Sequence, residues 1–160
     1  MESKLAKLTT MLWWILTLGW AGLIFYLSTR NFSPDFSRGL LGWILDILHL
    51  QVSWGSFELL HTLLRKLAHL TEYAIFALLL YGFPPEGRLY QWRPSRALVC
   101  VAIAAAYSLT DEFHQLFVPG RHGSLRDCGL DTIGATVAML VPYTRKQFSL
   151  LKATTSSPRE

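Results

Sequence analysis

Polar side chains that could carry acid–base chemistry follow directly on an apolar run in residues 107–121. The stretch reads YSLTDEFHQLFVPGR and contains Asp111, Glu112, His114 and Gln115. An ionisable group at the centre of a membrane helix costs about 2.5 to 3.5 kcal/mol, so such groups mark either a functional site or a compensated structural network. Polar residues elsewhere in the chain that could contact this stretch are therefore candidates for the same site or network.

Two further polar clusters lie on either side of it in the chain. On a wheel of 100° per residue, five residues of an earlier segment fall within roughly an 80° stripe. They are Glu58, His61, Arg65, His69 and Glu72, with Lys66 and Tyr73 beside them. The other cluster, Asp127 and Asp131, follows the central stretch, and its two carboxylates are one helical turn apart.

These residue types suit acid–base catalysis. His69 and Glu72, like Asp111 and His114, are three residues apart, so each pair can meet on one helix face. Either histidine could act as a general base held in place by a carboxylate. No Ser or Cys lies in a recognisable nucleophile motif, so covalent catalysis is not predicted.

The same clusters also allow recognition without chemistry. Lys66 and Arg121 could bind an anionic headgroup through charge-assisted hydrogen bonds. The catalytic candidates are His69, Glu72, Asp111, Glu112 and His114. The candidates for ligand binding are Lys66, Tyr73, Gln115, Arg121, Asp127 and Asp131.

Two other interpretations stay open. His69, Glu72, Asp111, His114 and Asp127 supply enough nitrogen and oxygen ligands for a metal ion, but nearby Lys and Arg side chains compete for the carboxylates, so we assign no residue to a metal and no cofactor. Alternatively, the nearly balanced charges could form an ion-pair network that holds helices together. Because replacing buried ion pairs by apolar residues is often neutral or stabilising, structural need alone explains so many charges poorly.

Membrane helices are the elements expected to position these residues. Of the 160 residues, 51% are hydrophobic and only 16% are charged, which indicates an all-α polytopic membrane protein. Apolar runs predict four transmembrane helices at residues 10–27, 57–83, 97–117 and 125–143, the second ending before Pro84 and Pro85. A shorter run at residues 40–50 predicts an interfacial or re-entrant helix between the first two. Residues 1–143 would form the transmembrane domain and residues 144–160 a flexible, basic cytoplasmic tail.

The distribution of positive charge predicts the orientation. The head, the tail and the connector with Arg88, Arg93 and Arg96 hold nine Lys and Arg residues, against four in the loops on the opposite side. Because positive loops stay in the cytoplasm, both termini are expected there. The basic residues form no patch, so nucleic acid is not an expected partner. This topology brings all three polar clusters toward the outer leaflet, which predicts one outward-facing polar pocket.

Several short strings in these clusters are distinctive. They are RKLAH at residues 65–69 followed by Glu72-Tyr73, DEFHQLFVPGR at residues 111–121, and Asp127 followed by TIGA at residues 132–135. Together they resemble the VanZ-like family of bacterial integral membrane proteins. Two positions depart from the family pattern. Members often carry Ser-x-x-Pro where this chain reads Ser28-Thr29-Arg30-Asn31, and often Asn where this chain has Asp131.

The resemblance implies a role in the cell envelope. The family takes its name from glycopeptide-resistance clusters, in which a member lowers sensitivity to teicoplanin. The resemblance implies a protein of the bacterial inner membrane. Because the predicted pocket opens toward the outer leaflet, the expected partner is a membrane lipid or a lipid-linked envelope precursor. The alternative is a membrane-embedded hydrolase or transferase that acts on a lipid headgroup or a lipid-linked phosphate.

Overall fold

The computed structural model describes residues 2–82, 92–121 and 123–155, and these residues form helices and short connections without a strand. The helices are α1 (Glu2–Leu27), α2 (Pro34–Ile47), α3 (Trp54–Gly82), α4 (Pro94–Gln115), α5 (Leu125–Ala138) and α6 (Leu140–Thr155), with a 3-10 helix at Arg30–Phe32. Pro84, Pro85 and Arg88 of the expected connector lie outside the described residues, as do residues 156–160 of the tail. The all-α prediction is confirmed.

Two of the described helices are long and apolar enough to cross a membrane. They are Lys7–Leu27, within α1, and Pro94–Gln115, which is α4. α3 is longer, at 29 residues, but Arg65, Lys66 and Glu72 interrupt its apolar sequence. α5 has only 14 residues, too few to span about 30 Å of hydrocarbon at 1.5 Å per residue. The count of four transmembrane helices therefore stays a prediction.

α2 begins earlier than the apolar run suggested, at Pro34 rather than at residue 40. Proline favours the first position of a helix because its missing N–H would have no intrahelical partner there. α2 has 14 residues, too few to span the membrane. The Arg38 guanidinium donates to both Glu58 carboxylate oxygens, at 3.2 and 3.1 Å, and so ties α2 to the start of α3.

The expected fourth span is interrupted. α5 ends at Ala138, and a separate helix, α6, begins at Leu140. Pro142 has no N–H to donate to the Ala138 carbonyl. The hydrogen-bond ladder resumes at the next residue, where the Tyr143 N–H donates to the Met139 carbonyl at 3.3 Å, so Met139 alone separates the two helices. α6 continues to Thr155, beyond the domain boundary suggested at residue 143. The flexibility expected of residues 144–160 stays a prediction.

α1 lies at the edge of the bundle and leaves a wide apolar face uncovered. Its exposed large side chains include Leu12, Ile15, Leu16, Leu18, Leu23 and Phe25. An apolar face of this extent is typical of contact with a membrane. Two indole N–H groups hold the other face to α3, since Trp13 donates to the Leu79 carbonyl at 2.8 Å and Trp20 to the Glu72 carbonyl at 2.9 Å.

The core lies where α3, α4 and α5 pack together. Its buried side chains include Tyr73, Phe76, Ala77, Tyr81, Cys100, Ala104, Ala135 and Met139. Small residues let these helices approach closely, which is the main source of packing energy between helices in lipid. At Gly134 an added Cβ would overlap the backbone carbonyl of Leu70. Gly134 is therefore a close-packing position between α5 and α3.

Candidate functional site

A polar cleft opens between α2, the first half of α3 and the loop that precedes α5. Its volume is about 530 Å³. Its polar and charged lining residues are Asp35, Arg38, His61, Thr62, Arg65, Lys66, His69, Arg121, Ser124 and Asp127. Four of these side chains are permanently cationic and two are acidic, so the cleft carries an excess of positive charge.

The cations of the cleft differ in how they are compensated. Arg38 is paired with Glu58 at 3.1 Å and Asp35 at 3.6 Å, and the Glu58 carboxylate raises the pKa of the Arg38 guanidinium. Among the described residues, neither Arg65 nor Lys66 forms an ion pair. Arg65 and Lys66 therefore carry positive charge into the cleft that no ion pair within the described residues balances.

Arg121 lies in the loop after α4 and is only 8% exposed. One of its terminal nitrogens, Nη2, donates to the backbone carbonyls of Leu27, Thr29 and Phe32, so it anchors this loop to the end of α1. Burial, and after it the nearby charge of Arg65, lower the pKa of the guanidinium. Arg121 thus organises the wall of the cleft while adding positive charge to it.

Three side chains from three different helices meet at the inner end of the cleft. They are His69 on α3, Glu112 on α4 and Asp131 on α5, and their candidate ligand atoms all lie within 4.8 Å of one another. His69 is the member that also lines the cleft. Glu112 and Asp131 are 4% and 1% exposed. We call these residues the His69–Glu112–Asp131 cluster.

Hydrogen bonds fix the two carboxylates of this cluster. Glu112 Oε2 accepts from the Ser124 backbone N–H at 2.6 Å, at the residue that caps the start of α5. Asp131 Oδ2 accepts from the Ser108 hydroxyl at 2.6 Å. The other oxygen, Oδ1, lies 3.6 Å from His69 Nδ1, and neither of these two buried atoms has a hydrogen-bond partner in the described part of the chain.

Asp111 belongs to a second buried group, which joins α4 to the end of α1. Its Oδ2 accepts from the Ser28 hydroxyl at 2.7 Å and from the Gln115 amide at 3.0 Å. The Gln115 amide also lies 3.3 Å from the Ser28 hydroxyl oxygen. Asp111 and Gln115 therefore connect α4 to the end of α1 through Ser28.

The other predicted site residues are divided between the cleft and its surroundings. Lys66 and Asp127 line the cleft. Glu72 instead lines an apolar groove between α1 and α3, Tyr73 is fully buried in the core, and the His114 ring packs 4.4 Å from that of Phe25 on α1. The structure thus places Glu72 and His114 against α1, whereas His69 faces Asp131. The functional roles of all these residues stay predictions.

The ion pairs of the described residues bear on the structural interpretation. They are Arg38 with Asp35, Arg38 with Glu58, and His69 with Asp131. No Lys or Arg in the described part of the chain pairs with the buried carboxylates of Asp111, Glu112 or Asp131. Within the described residues, direct ion pairs to Lys or Arg therefore do not hold these acids in place, and Asp131 faces His69 instead.

Several contributors were not among the candidate site residues predicted from the sequence. Ser28, Ser108 and Ser124 each bond to a buried carboxylate, and Arg38 with His61 forms the cleft wall on the α2 side. Serine is too common in apolar helices to be predictive alone. Ser108 does precede Asp111 by three residues, which places both on one face of α4.

The family comparison covers most of the chain. A family model described as VanZ/LLP1 matches residues 13–146. No curated protein and no solved structure matches the chain. The matched range begins in α1, ends in α6 and contains the whole cleft.

Proposed function

The chain belongs to the VanZ/LLP1 family, and from that premise we propose that it is a cell-envelope protein whose cleft binds an anionic lipid or a lipid-linked envelope precursor. Family membership and two membrane-compatible helices support the membrane location. A contribution to glycopeptide resistance of the teicoplanin type is part of the same proposal, because sequestering or shielding a precursor lipid would change the amount of precursor that the antibiotic can bind.

The observation that carries the proposal is the unpaired cationic wall of the cleft. Arg65 and Lys66 line it without an ion-pair partner among the described residues, and Arg121 adds its charge beside them. Like charges close together are unfavourable unless an anion joins them. A phosphate group, with several acceptor oxygens, satisfies guanidinium and ammonium donors at once.

The length of α3 supports a position for the cleft at the membrane surface. At 1.5 Å per residue, its 29 residues extend about 43 Å, which exceeds the hydrocarbon thickness of about 30 Å. The first half of α3, which lines the cleft, can then stand among lipid headgroups while the apolar second half lies in the hydrocarbon. With four spans and both termini in the cytoplasm, the cleft would open in the outer leaflet.

Binding of a phosphate-bearing lipid tests the proposal. The protein, reconstituted in phosphatidylcholine nanodiscs, is titrated with a short-chain polyprenyl phosphate and, separately, with the matching polyprenol. We expect the phosphate to bind and the alcohol to bind far more weakly. The double variant Arg65→Gln/Lys66→Gln should weaken phosphate binding at least about 10-fold, because each charge-assisted hydrogen bond contributes about 1.5 to 3 kcal/mol.

The matched control removes the same number of positive charges elsewhere. Lys4 and Lys7 are exposed near the start of α1, at the end of the helix remote from Arg121. Lys4→Gln/Lys7→Gln should leave binding unchanged. Equal affinity of Arg65→Gln/Lys66→Gln and the unaltered protein for the phosphate would refute the proposal, as would equal binding of phosphate and alcohol.

One observation favours an enzyme as the second candidate function. His69 lines the cleft and lies 3.6 Å from the buried carboxylate of Asp131, which suits a general base that faces a bound headgroup. A hydrolase would release inorganic phosphate from a polyprenyl phosphate in the same nanodiscs. Turnover that His69→Gln abolishes while binding is retained would favour the enzyme over the binding protein.

A further inference from the structure

The His69–Glu112–Asp131 cluster brings three side chains that can bind a metal within 4.8 Å of one another. His69 Nδ1 and Asp131 Oδ1 are 3.6 Å apart, which is beyond the usual hydrogen-bond range of about 2.7 to 3.2 Å. Two ligands of a tetrahedral ion, each about 2.1 Å from the metal, are about 3.4 Å apart. The spacing therefore fits two atoms that share a cation better than two atoms that share a proton.

The unpartnered atoms point to the same conclusion. His69 Nδ1 and Asp131 Oδ1 are buried and have no hydrogen-bond partner in the described part of the chain. Asp131 as a whole is only 1% exposed. Leaving a buried polar atom unsatisfied costs about 1 to 3 kcal/mol, and more for a charged group. A bound ion would satisfy both atoms at once.

The negative charges of Glu112 and Asp131 also favour a bound cation in this cluster. Two carboxylates, Glu112 and Asp131, are buried within 4.8 Å of each other and of His69. No Lys or Arg in the described residues forms an ion pair with either. Arg121, a buried guanidinium in the cleft wall, gives its hydrogen bonds to backbone carbonyls instead. Buried carboxylates are normally paired or bound to a metal.

The ligand types select the class of ion. One imidazole nitrogen and two carboxylate oxygens suit Zn²⁺ or Mn²⁺, whereas Ca²⁺ and Mg²⁺ prefer oxygen ligands alone. Three protein ligands with a fourth position left open are typical of sites that bind an exogenous group. Because His69 lines the cleft, the open coordination position would face the cleft.

We propose that His69, Glu112 and Asp131 form a binding site for one divalent transition-metal ion, of the zinc or manganese class, at the inner end of the cleft. Ser108 and Ser124 hold the two carboxylates by hydrogen bonds to oxygens not needed for the ion. Such outer partners orient ligands in known metal sites. The proposal does not depend on lipid binding.

Zinc loading tests the site directly. The protein is purified without a histidine tag, stripped with a chelator, placed in phosphatidylcholine nanodiscs that lack anionic lipid, and titrated with ZnCl₂. We expect about one zinc per chain. His69→Gln, Glu112→Gln and Asp131→Asn should each weaken zinc binding at least about 100-fold, the upper end of the loss caused by removing an outer-shell partner.

Asp46→Asn is the matched control. It removes the same charge at an exposed position of α2 that neither lines the cleft nor belongs to the cluster. Zinc affinity should change less than about 3-fold, as expected for a charge screened by solvent. An equal loss in Asp46→Asn and Asp131→Asn, or zinc loading that none of the three ligand variants lowers, would overturn the site.

X-ray absorption at the zinc edge of the unaltered protein keeps the test decisive if the variants fold poorly. We expect nitrogen and oxygen ligands at about 2.0 to 2.1 Å and one imidazole. A sulfur ligand would instead place the ion on Cys100 or Cys128, both of which are free. That outcome, or a shell of water alone, contradicts the proposal.

Discussion

The first half of α3 lines a cleft with charged side chains, whereas its second half buries aromatic and small side chains against α4 and α5. Arg65, Lys66 and His69 belong to the first half, and Phe76 and Tyr81 to the second. The helix passes from one to the other without a break. Secondary structure alone therefore does not distinguish the half that lines the cleft from the half that forms the core.

The difference between the halves lies in how their groups are satisfied. Side chains of the second half have close packing partners, as Phe76 has in Tyr107, with ring centroids 5.2 Å apart. In the first half, Arg65 and Lys66 form no ion pair within the described residues. Substitutions in the two halves should accordingly affect different properties, namely stability in the second half and binding in the first.

Gly134→Ala should cause the largest effect, because it acts where α5 touches the middle of α3. The added Cβ would overlap the Leu70 carbonyl, which belongs to the backbone and cannot rotate away. We expect a loss above about 5 kcal/mol, or failure to accumulate folded protein. Gly129→Ala in the same helix meets nothing within 4 Å and should add about 0.5 to 1 kcal/mol. Unfolding titrations in mixed micelles measure both, and similar values for the two would contradict this account of the contact.

Phe76→Ala should have the next largest effect. Phe76 is 4% exposed, and its removal leaves a cavity in the core. We expect a loss of about 3 kcal/mol, at the lower end of the range for soluble proteins, because lipid already solvates apolar groups in the unfolded chain. Leu67→Ala, at an exposed position of the same helix, should cost less than about 1 kcal/mol. Equal losses at the two positions would remove the distinction between the halves of α3.

Arg65→Gln/Lys66→Gln should have the smallest effect on folding. Neither side chain forms an ion pair in the described structure, and relieving the repulsion between Arg65 and Arg121 offsets any lost packing. We expect the unfolding free energy to stay within about 0.5 kcal/mol per substitution, although phosphate-lipid binding falls. A large loss of stability would mean that these cations hold the fold together.

The helix boundary at Ala138 could not be predicted from apolar composition. Residues 125–143 are apolar enough to suggest one span, yet α5 ends at Ala138. Pro142 was visible in the sequence, and its missing N–H explains the end four residues earlier. Similarly, Pro34 marks the start of α2 six residues before the apolar run. Local backbone chemistry, rather than hydropathy, decided both boundaries.

The sequence by itself determined that the chain is helical, and it located the three polar clusters. Apolar periodicity and helix-stopping residues act over a few positions, so they can be read without knowing the fold.

Only the tertiary structure decided which polar residues face one another. A helical wheel fixes directions around one axis and not the rotation of that helix against its neighbours, so it paired His69 with Glu72. The structure instead places His69 beside Asp131, 62 positions later in the chain, and turns Glu72 toward the groove at α1. That arrangement depends on the contact between Gly134 and Leu70, because the close approach of α3 and α5 brings the imidazole and the carboxylate together.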